Sequence, residues 1–281
     1  MWCWAFNAQQ TKSTAYSVMH YRLRAVFVYT ILILFAMMTR FRAASIHFLL
    51  SMLAGASLLI LFWFVWYPTP LFNAVGGDEI FLMLLSIDVT LGPLLTLIVF
   101  KAGKKSLRFD LAVIAAVQFA ALAYGVHTLL AGRPVYVAAL GHRFDLIQAN
   151  EIDVADLDKA GKSLPWSGPE WVGTRSPADA KERESIMFSG LGGADAGHFP
   201  QHHRPIEEMR EELLRRSEPI AKLLKLNPNE TAEIGAWLLA HGRTERDTVF
   251  QGLKARSRDM AVMLDANTAA VIGIAPFRPW E

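Results

Sequence analysis

Ile46–Tyr67 reads IHFLLSMLAGASLLILFWFVWY, an apolar run without a formal charge that ends in tryptophan and tyrosine. Ile80–Phe100 (IFLMLLSIDVTLGPLLTLIVF) and Leu111–Leu130 (LAVIAAVQFAALAYGVHTLL) are similar, except that the former contains Asp88. Each run would form a helix about 30 Å long, enough to cross the hydrocarbon core of a bilayer. Buried helices of a soluble protein are the alternative, but three such runs close together favour transmembrane spans. The sequence therefore predicts a three-helix membrane domain over residues 39–131.

The composition of the whole chain agrees with a membrane protein that carries a soluble part. Apolar residues make up 53% and charged residues 19% of the chain, whereas a soluble domain has about 25% charged residues. The net charge of +2 does not indicate nucleic-acid binding. The single cysteine, Cys3, excludes an intrachain disulfide framework and a thiolate metal cluster. We expect no cofactor, no metal and no nucleic acid.

The charges that flank the three runs predict their orientation. Arg40 and Arg42 precede the first run, and Lys101–Arg108 joins the second to the third, whereas Pro68–Glu79 contains only acidic charges. Basic loops stay preferentially in the cytoplasm. We therefore expect a multi-pass membrane protein in which everything after Leu130 lies outside the cytoplasm; in a Gram-negative cell this would be the periplasm.

Residues 1–38 form an N-terminal extension that fits this topology poorly. Ala25–Met38 is apolar but too short for a standard spanning helix. Three interpretations stay open. The extension is a further span, or a cleaved signal peptide despite the unsuitable Arg40 and Arg42, or translation begins at Met37 or Met38.

Beyond Leu130 the hydrophobic pattern changes to that of a mixed domain. Pro134–Leu140 and Arg143–Ala149, separated by Gly141-His142, predict a β-hairpin with a two-residue turn. We predict helices over Val154–Gly161, Ala178–Phe188, Ile206–Arg216 and Thr231–His241, loops over Ser163–Ser176 and Gly190–Pro205, and closing strands over Thr248–Ala255, Asp259–Asp265 and Ala269–Ile274. Residues 132–281 are thus expected to form a periplasmic α+β domain, whose antiparallel sheet combines the first and last segments.

Several stretches resemble the TfpX/TfpZ family of type IV pilin accessory proteins. They are IDVTLGPLLTLIVFKAGKKSLRFDLAVIAAVQFAALAYG (87–125), RPVYVAALGHRFDLIQANEI (133–152), LPWSGPEWVGTR (164–175), RSRDMAVMLDANTAAVIGI (256–274) and RPW (278–280). The resemblance extends from about Met38 to the end of the chain. It implies a non-catalytic inner-membrane protein that supports pilin stability or pilus assembly. Its partners would be the major type IV pilin, membrane lipid and other pilus assembly components.

Asp88 is the most informative single residue, because an ionised carboxylate near the middle of a bilayer is costly unless it is paired or neutralised. It could dock a partner or bind a proton. Alternatively it ties helices together as a neutral or hydrogen-bonded acid, with Gln118 of the third run at similar depth. A small proton-coupled transporter that uses Asp88, and a membrane-bound sensor of a periplasmic ligand, are the alternative functions.

Small residues at four-residue spacing in the third run predict a helix-packing surface. Ala116 with Ala120, and Ala121 with Gly125, would let another helix approach closely. That helix could be the apolar helix of a pilin or one of the protein's own spans.

Two polar clusters beyond the membrane runs are also candidates. His198, His202 and His203 suggest a metal site, but they follow a glycine-rich stretch and precede a proline, so a solvated loop is expected. Trp166 and Trp171 form either an exposed recognition patch or a contact that fixes their loop to the sheet.

Overall fold

A computed structural model describes residues 39–175, 177, 179–189 and 194–281. The predicted N-terminal extension, residues 1–38, lies outside the described residues. The described chain forms two compact units: one comprises residues 39–54 and Leu85–Leu122, and the other comprises Gly55–Leu84 and Ala123–Glu281.

Three long helices dominate the first half of the described chain. They are α1 (Thr39–Trp66), α3 (Gly77–Val99) and α4 (Leu107–Ala131), and a single-turn helix, α2 (Leu71–Ala74), lies between the first two. By length and composition, the three long helices are sufficient to cross a membrane. Most of their apolar side chains are exposed, which is the pattern of helices that face lipid rather than a protein core. The prediction of three long apolar helices is confirmed.

The second half of the described chain contains eight strands in one sheet with the order β4-β3-β1-β2-β6-β7-β8. The strands are β1 (Pro134–Ala139), β2 (Phe144–Gln148), β3 (Glu170–Thr174), β4 (His203–Arg204), β5 (Glu218–Pro219), β6 (Thr248–Lys254), β7 (Met260–Asp265) and β8 (Val271–Ala275). The short β5 pairs with β6. The predicted hairpin is present: β1 and β2 pair antiparallel around Gly141, whose φ of +87° suits a glycine in a tight turn.

The sheet is mixed, so the predicted purely antiparallel sheet is wrong. β1 pairs with β3 in parallel, and β2 pairs with β6 in parallel. Tight turns impose antiparallel pairing only between consecutive strands, whereas a connection that contains helices can return the chain in either direction. The expectation that the first and last segments share one sheet is confirmed by the β2–β6 pair.

Within the residues that the structure describes, five α-helices accompany the sheet: α5 (Val154–Ala160), α6 (Ala180–Ser189), α7 (Arg210–Arg216), α8 (Ile220–Leu226) and α9 (Thr231–Ala240). The predictions missed α8 and the strands β3, β4 and β5. The predicted loop over Ser163–Ser176 was wrong where β3 runs, since a five-residue strand preceded by proline and glycine gives a weak signal.

Apolar clusters of the described residues pack the helices onto the sheet. One joins α8 and α9 to the last strands through buried Ile220, Ile234 and Phe250. Another joins α5 to β1, β2 and β3 around Tyr136 and Ile147. The C-terminal tail packs back on the domain, because the Trp280 ring covers Gly252 and its Nε1–H donates a 2.9 Å hydrogen bond to the Asp259 carboxylate.

Candidate functional site

A line of polar and small residues is buried among the long helices. Asp88, Gly92 and Thr96 of α3 are all buried and recur every four residues, so they lie on one face of the helix. Leu91 and Leu95 are exposed on the same helix. The arrangement turns polar groups inward, where neighbouring helices can supply partners that lipid cannot.

Gln118 of α4 contacts this face of α3. Its side-chain amide donates a 3.2 Å hydrogen bond to the backbone carbonyl of Asp88, not to the carboxylate. The carbonyl is available because Ile87–Leu91 is a π-helical turn, in which carbonyls pair five residues ahead. That register assigns the Asp88 carbonyl to Pro93, which has no N–H to donate. Gln118 therefore supplies the donor that Pro93 lacks.

Gly92 provides the space for this hydrogen bond. A Cβ atom at position 92 would lie 2.7 Å from Cδ and 2.9 Å from Oε1 of Gln118, and the three nearest heavy atoms all belong to that side chain. Any larger residue would force Gln118 away from Asp88. The glycine thus acts through close approach of two helices rather than through an unusual backbone conformation.

α1 joins the same group of residues at its other end. Nδ1 of His47 lies 2.6 Å from Oγ1 of Thr96, within hydrogen-bond distance. We call His47, Asp88, Gly92, Thr96 and Gln118 the polar seam. It connects all three long helices through polar contacts.

The Asp88 carboxyl is the least satisfied group of the polar seam. Its residue is 8% exposed, and Oδ1 has no hydrogen-bond partner within the part of the chain that the structure describes. A buried carboxyl can be retained as a neutral acid, or it can accept a donor or a proton. The structure thus brings the predicted pair Asp88 and Gln118 together, but through the backbone.

The predicted helix-packing residues of α4 separate into two groups. Ala116, Ala120 and Ala121 are exposed on the outer surface of the helix. Gly125 is buried, and the Leu84 side chain of α3 occupies the space that a Cβ at position 125 would need. Three of the four residues are therefore open to a partner, whereas the fourth serves a contact within the protein.

A second cluster joins the end of α1 to the sheet domain. The Tyr67 hydroxyl donates a hydrogen bond to the Leu129 carbonyl near the end of α4. The rings of Trp66 and Trp166 meet edge to face, with centroids 5.8 Å apart. We call this region the helix–sheet junction. It was not predicted as a unit, although the aromatic run at the end of the first span was a signal for it.

The histidines that suggested a metal site make contacts within the sheet domain. Among the residues that the structure describes, no group of three metal-ligating side chains is assembled. Instead of lying in a solvated loop, as predicted, His202 is buried and His203 is half-buried. The His203 ring packs edge-on to Tyr136 at 4.6 Å, and its Nε2 hydrogen-bonds the Gly197 carbonyl at 2.7 Å. Burial lowers the pKa of His203 to about 4, which favours the neutral ring.

The described chain thus combines three long apolar helices, which by length and composition could cross a membrane, with a buried polar seam and a mixed-sheet domain. The family model described as fimbrial assembly protein FimB matches residues 35–76, which include α1 and α2. A fimbrial assembly protein of Dichelobacter nodosus, from serogroups C1 and C2, is 34% identical over 121 residues, which are 42% of this chain and 92% of that protein. The chain belongs to the FimB family of fimbrial assembly proteins.

Longer relatives extend the similarity into the sheet domain. The fimbrial assembly protein of serogroup I from the same organism is 29% identical over 233 residues, covering 80% of this chain and 91% of that protein. The serogroup E1 protein is 28% identical over the same length, with the same coverage. No solved structure matches the chain significantly. The family assigns a role in pilus assembly, which implies association with pilus components.

Proposed function

We propose that this protein is a non-catalytic accessory protein of type IV pilus assembly, as the TfpX/TfpZ resemblance implies. It crosses the inner membrane three times, holds the major pilin in the bilayer before assembly, and presents its sheet domain to the periplasm. The names of the relatives support the assembly role. The basic residues around the helices support the orientation, since Lys101, Lys104 and Lys105 follow α3 on the proposed cytoplasmic side.

The outer surface of α4 is the observation that carries the pilin contact. Of the three long helices, α4 is the least covered: 6% of its most apolar stretch is buried, against 11% for α1 and 17% for α3. Ala116, Ala120 and Ala121 are exposed there. Small residues let two helices pack closely, and such packing rather than hydrophobicity drives association within lipid. The face with alanines therefore suits a single apolar helix such as that of a pilin.

Site-specific photo-crosslinking in cells tests this contact. A photoreactive residue at Ala116 or Ala120 should capture pilin. The matched control is Leu91, which is also apolar and 50% exposed but lies on α3. Equal capture of pilin at Ala116, Ala120 and Leu91 would show that pilin contacts the protein without preferring the surface of α4. Capture of this protein alone at Ala116 and Ala120 would contradict the proposal.

Deletion of the gene tests the role itself. We expect fewer surface pili and less twitching while the level of pilin transcript stays unchanged, because the helper acts on the protein after synthesis. Normal piliation in the deletion strain would refute the accessory role.

Proton-coupled transport is a second candidate, favoured by one observation. The buried Asp88 carboxyl has an oxygen without a partner among the described residues, and His47 and Gln118 lie in the same polar seam. A transport role predicts that Asp88→Asn abolishes function at normal protein abundance, whereas the accessory role does not.

A further inference from the structure

Trp166 is an exposed aromatic side chain in the sheet domain. It is 65% exposed, although its ring contacts the buried Trp66. An exposed tryptophan with an apolar ring and a polar N–H fits the boundary between lipid and water better than bulk water.

One backbone hydrogen bond fixes the loop around Trp166 to the end of α1, and the Arg133 side chain fixes it to the end of α4. The Gly168 N–H donates to the carbonyl of Val65, one residue before the helix ends, at 2.9 Å. Arg133 also donates to the Pro165 carbonyl at 3.3 Å, while another of its nitrogens donates to the Leu130 carbonyl at the end of α4 at 2.8 Å. The loop is thus attached to α1 and α4 at residues on both sides of Trp166, and neither attachment involves the indole ring.

The first charged residues at the ends of the apolar helices indicate where the loop around Trp166 lies relative to the membrane surface. Asp78 lies in the first turn of α3, and Arg133 follows the end of α4 by two residues. Trp63, 42% exposed, lies one turn before the end of α1. Charged residues begin where the hydrocarbon ends, and exposed tryptophan is enriched at that same level. Trp166 is therefore held where the headgroups begin.

We propose that Trp166 inserts into the headgroup region of the bilayer and acts as a membrane anchor of the sheet domain. The partner is the lipid interface itself. The proposal depends on the spans of the proposed function but not on the contact with pilin. Its consequence is that the sheet domain is held at the membrane in one orientation, in which it can meet a pilin head that is still attached to the bilayer.

Fluorescent labelling of the full-length protein in lipid vesicles tests the anchor. Cys3 is first replaced by serine, and single cysteines are then introduced for an environment-sensitive dye. The test positions are Trp166 and Ser167, and the latter keeps the indole in place. Phe64, 78% exposed within α1, is the control for lipid, and Glu245, exposed and charged, is the control for water.

Nitroxide lipids labelled near the headgroup should quench the dye at positions 166 and 167 at least twofold more than at position 245. Aqueous iodide should show the opposite order. If the dye at 166 and 167 behaves like that at 245 while Phe64 is quenched by lipid, the anchor is refuted and the spans stand. If Phe64 is not quenched by lipid, both the spans and the anchor are refuted. Neither result depends on whether pilin is the partner.

Discussion

Gly92→Ala should destabilise the helices, although alanine is normally the better helix residue. The new Cβ would lie 2.7 Å from Cδ of Gln118, so this side chain must move and lose its hydrogen bond to Asp88. Overpacking costs about 1–3 kcal/mol, and an interhelical hydrogen bond in a membrane is worth about 0.6 kcal/mol. The gain in helix propensity offsets about 1 kcal/mol. We expect the free energy of unfolding to fall by about 0.6–2.6 kcal/mol.

The same substitution should be harmless once Gln118 is shortened. In a Gln118→Ala background, the three side-chain atoms that would contact a Cβ at position 92 are absent. Gly92→Ala should then be neutral or should stabilise the protein by up to about 1 kcal/mol. The two substitutions then have a coupling energy of about 0.6–3.6 kcal/mol. Gly235→Ala in α9 is the matched control, because its Cβ would meet no atom within 4 Å and its effect should not depend on Gln118.

Unfolding in mixed micelles with increasing dodecyl sulfate, followed by circular dichroism, measures these differences on the full-length protein. Additive effects of Gly92→Ala and Gln118→Ala, to within about 0.5 kcal/mol, would refute the close approach of the two helices. A stabilising effect of Gly92→Ala alone would refute it as well.

Three further predictions concern charge. Asp88→Asn should keep protein level and piliation near wild type, because asparagine has the shape of the neutral acid and leaves the backbone carbonyl that Gln118 contacts. Asp88→Leu puts a bulkier branched side chain at this buried position and should lower protein level on immunoblots; loss of piliation with Asn would favour the proton-linked role. An alkaline phosphatase fusion after Arg133 should be active and one after Lys104 inactive, and the reverse would overturn the orientation. The pKa of His203 is lowered to about 4 in the folded protein, whereas that of a free histidine is about 6.5. As the pH falls, the unfolded chain therefore binds this proton before the folded protein does. The contribution of His203 to stability is fully present above about pH 6.5 and is lost progressively towards pH 4. His203→Gln should flatten that loss in thermal unfolding scans, and an unchanged pH profile would contradict the assignment.

Local patterns in the sequence predicted much of the fold. Apolar runs predicted the long helices, and Gly141-His142 predicted the turn of the first hairpin, because both depend on neighbouring residues. The parallel pairs of β1 with β3 and of β2 with β6 depend on the return path of the chain, which no local pattern encodes. β3 was missed for the same reason: its five residues gain their stability from two flanking strands rather than from their own composition.

The polar seam shows why the depth of Asp88 and Gln118 within their apolar runs could not define how the two residues interact. Similar depth suggested that Gln118 could contact Asp88. In the structure Gln118 bonds the Asp88 backbone carbonyl, which a one-residue shift to π-helical pairing leaves opposite Pro93. Such a shift depends on how α3 packs against its neighbours, and only the structure contains that information.

The two faces of α4 show how one long helix could both pack against α3 and carry the surface that we propose for pilin. Gln118 points inward and is anchored to α3, and this bond sets the rotation of α4 about its own axis. Ala116 and Ala120 lie two residues to either side of Gln118 in the chain, and a separation of two residues turns a helix by about 200°. A helix rotated to place Gln118 against α3 therefore directs both alanines outward, where they are exposed. The hydrogen bond that satisfies the Asp88 carbonyl thus also orients the surface that we assign to pilin.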